Sequence, residues 1–99
     1  MSRPKPPDVL SRIEEILLLA VWELGEEAYG VPIRRRVEEL FGRRLSVGSV
    51  YVPLDRMALA GLLSAEFGPP TAVRGGRRKR YYRLTAKGIA ALRQTRRLS

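Results

Sequence analysis

The stretch Ser46-Val47-Gly48-Ser49-Val50-Tyr51-Val52-Pro53-Leu54-Asp55-Arg56-Met57-Ala58-Leu59-Ala60-Gly61 shows two faces when wound at 100° per residue. Val47, Val50, Leu54, Met57 and Ala58 fall on one side and form a core stripe. Gly48, Ser49, Val52, Asp55 and Arg56 fall on the other. Near the start of the helix this second face is small and neutral, where a helix facing only water is ordinarily filled with Lys, Glu and Gln. Such a face suits close approach to another surface. Ser46 is placed to cap the helix and Gly61 to end it. Pro53 removes the hydrogen bond to the Ser49 carbonyl, a loss of about 3 kcal/mol in an ordinary helix interior. A kink or a loosened turn is expected there.

Upstream lies a second helical pattern. Tyr29 and Gly30 open it, Pro32 sits in its first turn, and Gly42 ends it. Ile33, Val37, Leu40 and Phe41 form its buried stripe. Arg34, Arg35 and Arg36 fall within one turn, so at least two face water, with Glu38 and Glu39 close enough to neutralise part of the charge. Arg43 to Leu45 is a short link of coil or minimal strand. Helix, tight link and a second helix with a bare outer face make a helix-turn-helix arrangement.

Further upstream, Ser11 and Glu14 have capping-box spacing, and a helix follows to Leu24, stopped by Gly25. Leu10, Ile13, Ile16 to Val21, Trp22 and Leu24 leave its second half almost no polar face. A helix apolar all round is buried on more than one side. Either a partner subunit covers the second side, or this is the central core helix of a monomer. Residues 1–8, with Pro4, Pro6 and Pro7 beside Arg3 and Lys5, are expected to form an extended arm.

Downstream, Leu62 to Phe67 and Arg77 to Leu84 have strand character, separated by Gly68, Pro69, Pro70, a loop over 71–74 and a Gly75-Gly76 turn. Tyr82 and Leu84 are expected to point to the core, and Lys79, Tyr81 and Arg83 away from it. Thr85 caps a last helix, Ala86 to about Arg97, with Ile89, Ala90 and Leu92 as a thin apolar stripe. A helix so thinly striped is marginal alone and is expected to dock on the first helix, its own or a partner's. The fold class is therefore mostly α with a small antiparallel β-ribbon, a winged helix-turn-helix of order α-α-α-β-β-α. Its expected division is an arm (1–8), a winged helix-turn-helix domain (9–85) and a C-terminal helix (86–99).

The chain of 99 residues carries a net charge of +9, and the placement of that charge matters more than its size. Residues 1–45 hold eight basic and eight acidic side chains, whereas residues 46–99 hold eleven basic and two acidic ones. The excess is gathered in one half, which points to a polyanion. With no Cys and no His, thiolate nucleophiles, disulfides, His-based triads and nearly all zinc sites are excluded. No Gly-rich loop precedes a helix at phosphate-binding spacing. No enzyme, cofactor or metal is expected. The apolar run Ile16 to Trp22 is seven residues long, far below the roughly 18 needed to cross a bilayer. It lacks the flanks of a signal peptide, so a cytoplasmic protein without a membrane partner is expected.

Double-stranded DNA is the expected partner, with the work divided between two elements. Gly48, Ser49, Val52 and Arg56 read bases in the major groove. Ser46, Tyr51, Arg74, Arg77, Arg78, Lys79 and Arg80 contact phosphates and supply most of the affinity. Two other readings stay open: a winged module that binds RNA or DNA without sequence preference, and a protein-interaction module that uses the first helix.

Three of these segments resemble the PadR family of bacterial transcriptional regulators. They are Ser46-Val47-Gly48-Ser49-Val50-Tyr51 with Leu54-Asp55-Arg56-Met57, Tyr29-Gly30, and Lys79-Arg80-Tyr81-Tyr82-Arg83-Leu84-Thr85-Ala86-Lys87-Gly88. The resemblance spans Leu10 to Leu92 and implies a winged-helix homodimer, usually a repressor on a palindromic operator. It implies dimerisation through the first and last helices, here Leu17, Leu18, Val21, Trp22, Ile89 and Leu92. It also implies a small hydrophobic effector. The chain departs from the family pattern at Val52, where many members carry Pro directly after the Tyr. It lacks the long C-terminal helical domain of the larger subgroup and so resembles the short one. Its last helix has no aromatic residue for an effector pocket, and the first offers only Trp22.

Overall fold

In the computed structural model of the protein, residues 10–69 and 78–98 are described, without the side chain of residue 98. The described residues form α1 (Arg12–Leu24), a 3-10 turn (Gly25–Glu27), α2 (Gly30–Phe41), α3 (Val47–Leu59), β1 (Leu63–Phe67), β2 (Arg80–Leu84) and α4 (Ala86–Leu98). This is the winged helix-turn-helix order. The expected arm over residues 1–8, Arg74, Arg77 and the Gly75-Gly76 turn lie outside the described residues.

Local chemistry sets the helix starts. Ser11 and Glu14 close a full capping box on α1: the Glu14 amide donates to Ser11 Oγ at 3.3 Å, and the Ser11 amide donates to Glu14 Oε1 at 2.8 Å. Ser46 caps α3 by accepting from the Ser49 amide at 3.2 Å. The α3 helix runs unbroken through Pro53, since a helix can lose one amide donor and still be held by the tertiary packing of its apolar face. The 3-10 turn after α1 was not expected from the sequence.

The core has α1 at its centre. Leu17, Leu18, Ile33, Val37, Val50, Leu54 and Met57 are fully buried, joined by Ile16, Val21, Leu63 and Tyr82. Each of the larger side chains contributes about 1.5–3 kcal/mol on burial. This corrects the expected interface: Leu17, Leu18 and Val21 face the chain's own helices and strands, and so does most of Leu92. Their apolar character is already satisfied within one chain. A second correction concerns Val47, which is 52% exposed. As the first residue of α3 it precedes the turns that pack on the core.

β1 and β2 pair antiparallel, with Leu63 opposite Leu84 and Phe67 opposite Arg80. The strand period places Tyr82 in the core as expected. Tyr81 does not point freely to solvent, as its place in the alternation suggested. It is half-buried, with its ring edge-on to Tyr29 at 5.3 Å. The backbone explains this: Tyr29 forms an isolated bridge to Tyr81, and the Tyr82 amide donates to the Ala28 carbonyl at 2.9 Å. The segment before α2 thus pairs with the far edge of β2.

α4 docks on α1 of its own chain. Its buried residues are Gly88, Ala91, Leu92 and Thr95, whereas Ala90, expected in the stripe, is exposed. The Leu10 amide donates to Thr95 Oγ1 at 3.0 Å, which ties the start of the described chain to this helix.

Candidate nucleic-acid interface

The sequence places Gly48, Ser49, Val52 and Arg56 within about 100° of arc on α3, and in the folded chain all four are exposed. Val52 is 52% exposed although it is apolar. The opposite side of the same helix carries Val50, Leu54 and Met57 into the core. Core packing therefore fixes which face α3 presents. Ser49 is not a free hydroxyl: its Oγ lies 2.7 Å from Ser46 Oγ, and either can be the donor. The two expected contacts at the helix start, one to a base and one to a phosphate, form one hydrogen-bonded pair.

The link into α3 is held by two hydrogen bonds from α2. Arg34 donates to the Leu45 carbonyl at 3.0 Å, and the Leu45 amide donates to Glu38 at 2.8 Å. Arg34 and Glu38 are themselves 3.6 Å apart. Both polar groups of one linker residue are thus satisfied, which sets the entry of α3 without a regular turn. The sequence places at least two of Arg34, Arg35 and Arg36 in water, and no local signal places Arg34 on Leu45.

Tyr51 is half-buried with its hydroxyl over the start of α2. A side chain at Gly30 would meet that hydroxyl at 2.7 Å, so Gly30 leaves the space that Tyr51 fills. Two motifs that are separate in the sequence, Tyr29-Gly30 and the tyrosine of α3, are therefore in contact. Nothing in the sequence pattern showed that.

The described part of the wing is exposed and basic, but Arg78, Lys79 and Arg80 each have a partner in the fold. Arg78 donates to the Gly68 carbonyl at 3.0 Å and lies over the Phe67 ring. Lys79 lies 4.4 Å from the centre of the Tyr29 ring. These contacts leave both charges uncompensated. Arg80 differs, because it pairs with Asp55 at 3.0 Å. Asp55 Oδ1 also accepts from the Tyr82 hydroxyl at 2.9 Å. Asp55 therefore turns toward the wing, and Arg80 is partly neutralised where a fully available phosphate contact was expected. Burial and then the Asp55 carboxylate push the Tyr82 hydroxyl up to about 12.

Trp22 is 61% exposed on α1. It borders a groove of about 360 Å³ lined with Leu19, Leu84, Ile89, Leu92, Arg93 and Arg96. Among the described residues no cluster of acids could hold a metal ion, and no helix is long and apolar enough to cross a membrane.

Comparison with known proteins agrees with this arrangement. The sequence profile of the PadR-like family of transcriptional regulators matches residues 18–94. A PadR family transcription regulator from Clostridium difficile is 29% identical, with 86% of this chain and 84% of that one covered at a TM-score of 0.66. A transcriptional regulator from Clostridium thermocellum is similar in fold, at 22% identity, 91% and 87% coverage and a TM-score of 0.72. So is a PadR-like transcriptional regulator from Bacillus cereus, at 23% identity, 87% and 79% coverage and a TM-score of 0.69. No functionally curated protein matches by sequence. The family comprises transcriptional regulators and not enzymes, and since its profile covers most of the sequence, this chain belongs to the PadR-like family of transcriptional regulators.

Proposed function

We propose that the protein is a sequence-specific DNA-binding repressor that acts as a homodimer in the cytoplasm. The observation that carries this reading is the exposed face of α3, where Gly48, Ser49, Val52 and Arg56 stand out from a helix whose other side is locked in the core. An α-helix of this width fits the major groove, about 12 Å across. Ser49 offers a hydroxyl to a base edge, Val52 a methyl surface to thymine, and Arg56 a guanidinium to guanine or phosphate. Arg78 and Lys79, with Arg74 and Arg77 nearby in sequence, supply phosphate contacts that carry no sequence information. Ser46 and Tyr51 flank the reading face and are assigned to phosphates as well.

Dimerisation is assigned to Trp22 and Ile89 with the groove between α1 and α4. The same groove is the place for a small hydrophobic effector once a second chain covers it. Selection of binding sites from pooled genomic DNA tests the reading. Enrichment of a palindrome with half-sites about one helical turn apart is expected. Recovery of no preferred sequence, or better competition by structured RNA than by the selected duplex, would overturn it.

A further inference from the structure

The structure points to a second phosphate-binding cluster at the N-terminal end of α3, made of Arg43 and Arg44 in the link between α2 and α3, and we propose that these two arginines grip DNA backbone phosphates at the end of the helix away from the wing. The inference rests on the reading of α3 as the groove-binding helix and extends it.

Three observations support it. The first is availability. Both residues are exposed, and neither forms an ion pair with any described residue. Arg43 lies over the Phe41 ring, 5.7 Å from its centre, a contact that keeps the charge in place without cancelling it.

The second concerns the acids that might have neutralised them. Glu38 is engaged by Arg34 at 3.6 Å and by the Leu45 amide at 2.8 Å. Glu39 pairs with Arg36 at 3.1 Å, and Arg36 also holds Glu23 at 2.7 Å. Every acid of α2 is thus committed within the fold, and the positive charge of the link stays uncompensated.

The third is placement. The link is anchored through both polar atoms of Leu45, so the two arginines stand on a fixed segment beside the α3 N-terminus. The wing meets α3 near its other end, where Arg80 reaches Asp55. From Val47 to Asp55 the helix rises roughly 12 Å at 1.5 Å per residue. With α3 lying in the major groove, Arg43 and Arg44 reach backbone phosphates beside one end of the helix, and Arg78 and Lys79 reach phosphates toward the other. Binding from both ends fixes the register of α3, which a wing on one side alone would leave free to tilt.

The test is a salt series on the full-length chain with the selected duplex and with random duplex, read by fluorescence anisotropy. For Arg43→Gln/Arg44→Gln, affinity at 0.1 M salt should fall at least on the order of tens-fold for both duplexes. The slope of log affinity against log salt should flatten by about two per bound chain, and so by about four for a dimer on both half-sites. Arg43→Lys/Arg44→Lys, which keeps both charges, should retain most of the slope. A thermal melt of each variant checks that the exposed link can be changed without unfolding, and the Lys pair reads the charge effect even if the Gln pair melts early. An unchanged slope in the Gln variant, with Arg78→Gln/Lys79→Gln still flattening it, would overturn the cluster and leave the reading of α3 intact. Wild-type protein that binds no duplex at any salt would overturn both.

Discussion

Gly88 shows how much depends on one missing atom. It lies in the first turn of α4, buried against the Leu62 carbonyl, and a Cβ there would collide with that backbone. The contact is reinforced on both sides. Thr85 Oγ1 donates to the Gly61 carbonyl at 2.6 Å and accepts from the Gly88 amide at 3.1 Å. Helix propensity alone predicts that Gly88→Ala stabilises α4 by about 1 kcal/mol. The packing predicts the opposite sign. The substitution should destabilise the fold by about 1–3 kcal/mol, as overpacked sites do, with Tm falling on the order of 10 °C. A thermal melt decides between the two, and a raised Tm would mean that the approach of α4 to Leu62 is not tight. The glycine is plain in the sequence. Its neighbour is 26 positions away, so the reason for it is not.

At the scale of elements, the joint between α3 and β2 is the Asp55–Tyr82–Arg80 cluster. Sequence reading grouped Asp55 with the outer face of α3 and Arg80 with the free cations of the wing. Only the fold brings them within 3.0 Å. The joint carries a pH dependence whose sign follows from Tyr82. Its hydroxyl is pushed up to about 12 in the folded chain, because burial and the Asp55 carboxylate disfavour the phenolate. In the unfolded chain a tyrosine titrates near 10. The folded state therefore holds its proton longer. The stabilisation is fully present below about pH 10 and is lost as pH rises from about 10 through about 12; because solvent reaches the hydroxyl end of the ring and screens the pair, it amounts to about 1–2 kcal/mol in all. Urea unfolding at pH 9 and pH 11.5 measures it. The wild type should lose stability over this interval that Tyr82→Phe, which cannot ionise, does not lose. Equal losses in both proteins would remove Tyr82 as the source. The Asp55–Arg80 pair is half-exposed and contributes about 1 kcal/mol at most, so its role is to aim the wing more than to hold it.

For the whole molecule, the question is what covers Trp22. The sequence offered Leu17, Leu18, Val21 and Trp22 as one apolar patch on the first helix. The fold divides that patch. Three of its members are spent in the core, and Trp22 remains at the surface beside Ile89. If a second copy covers this face, Trp22→Glu should shift the protein from dimer to monomer in sedimentation velocity while its circular dichroism spectrum stays helical. Affinity for a two-half-site duplex should fall further than affinity for a single half-site. A variant that sediments as the wild type does would move the interface elsewhere.

The sequence by itself determined the elements and their order. Capping residues, glycine stops and apolar periodicity are local signals. They placed the four helices to within a residue or two, with Tyr82 inward and the bare face of α3 outward. They also identified the family, because its motifs are strings of neighbouring residues. What only the tertiary structure decided were the pairings across long separations. These include Tyr51 over Gly30, Arg34 and Glu38 on Leu45, Asp55 with Arg80 and Tyr82, and Tyr29 along the edge of β2. It also decided which side of a helix apolar all round is already used within the chain. Periodicity records that a side chain avoids water but not which neighbour shields it, and charge composition records a cation but not the acid that faces it. Those choices are made when the elements pack, and here they leave Arg43, Arg44, Arg78 and Lys79 uncompensated while Arg80 is not.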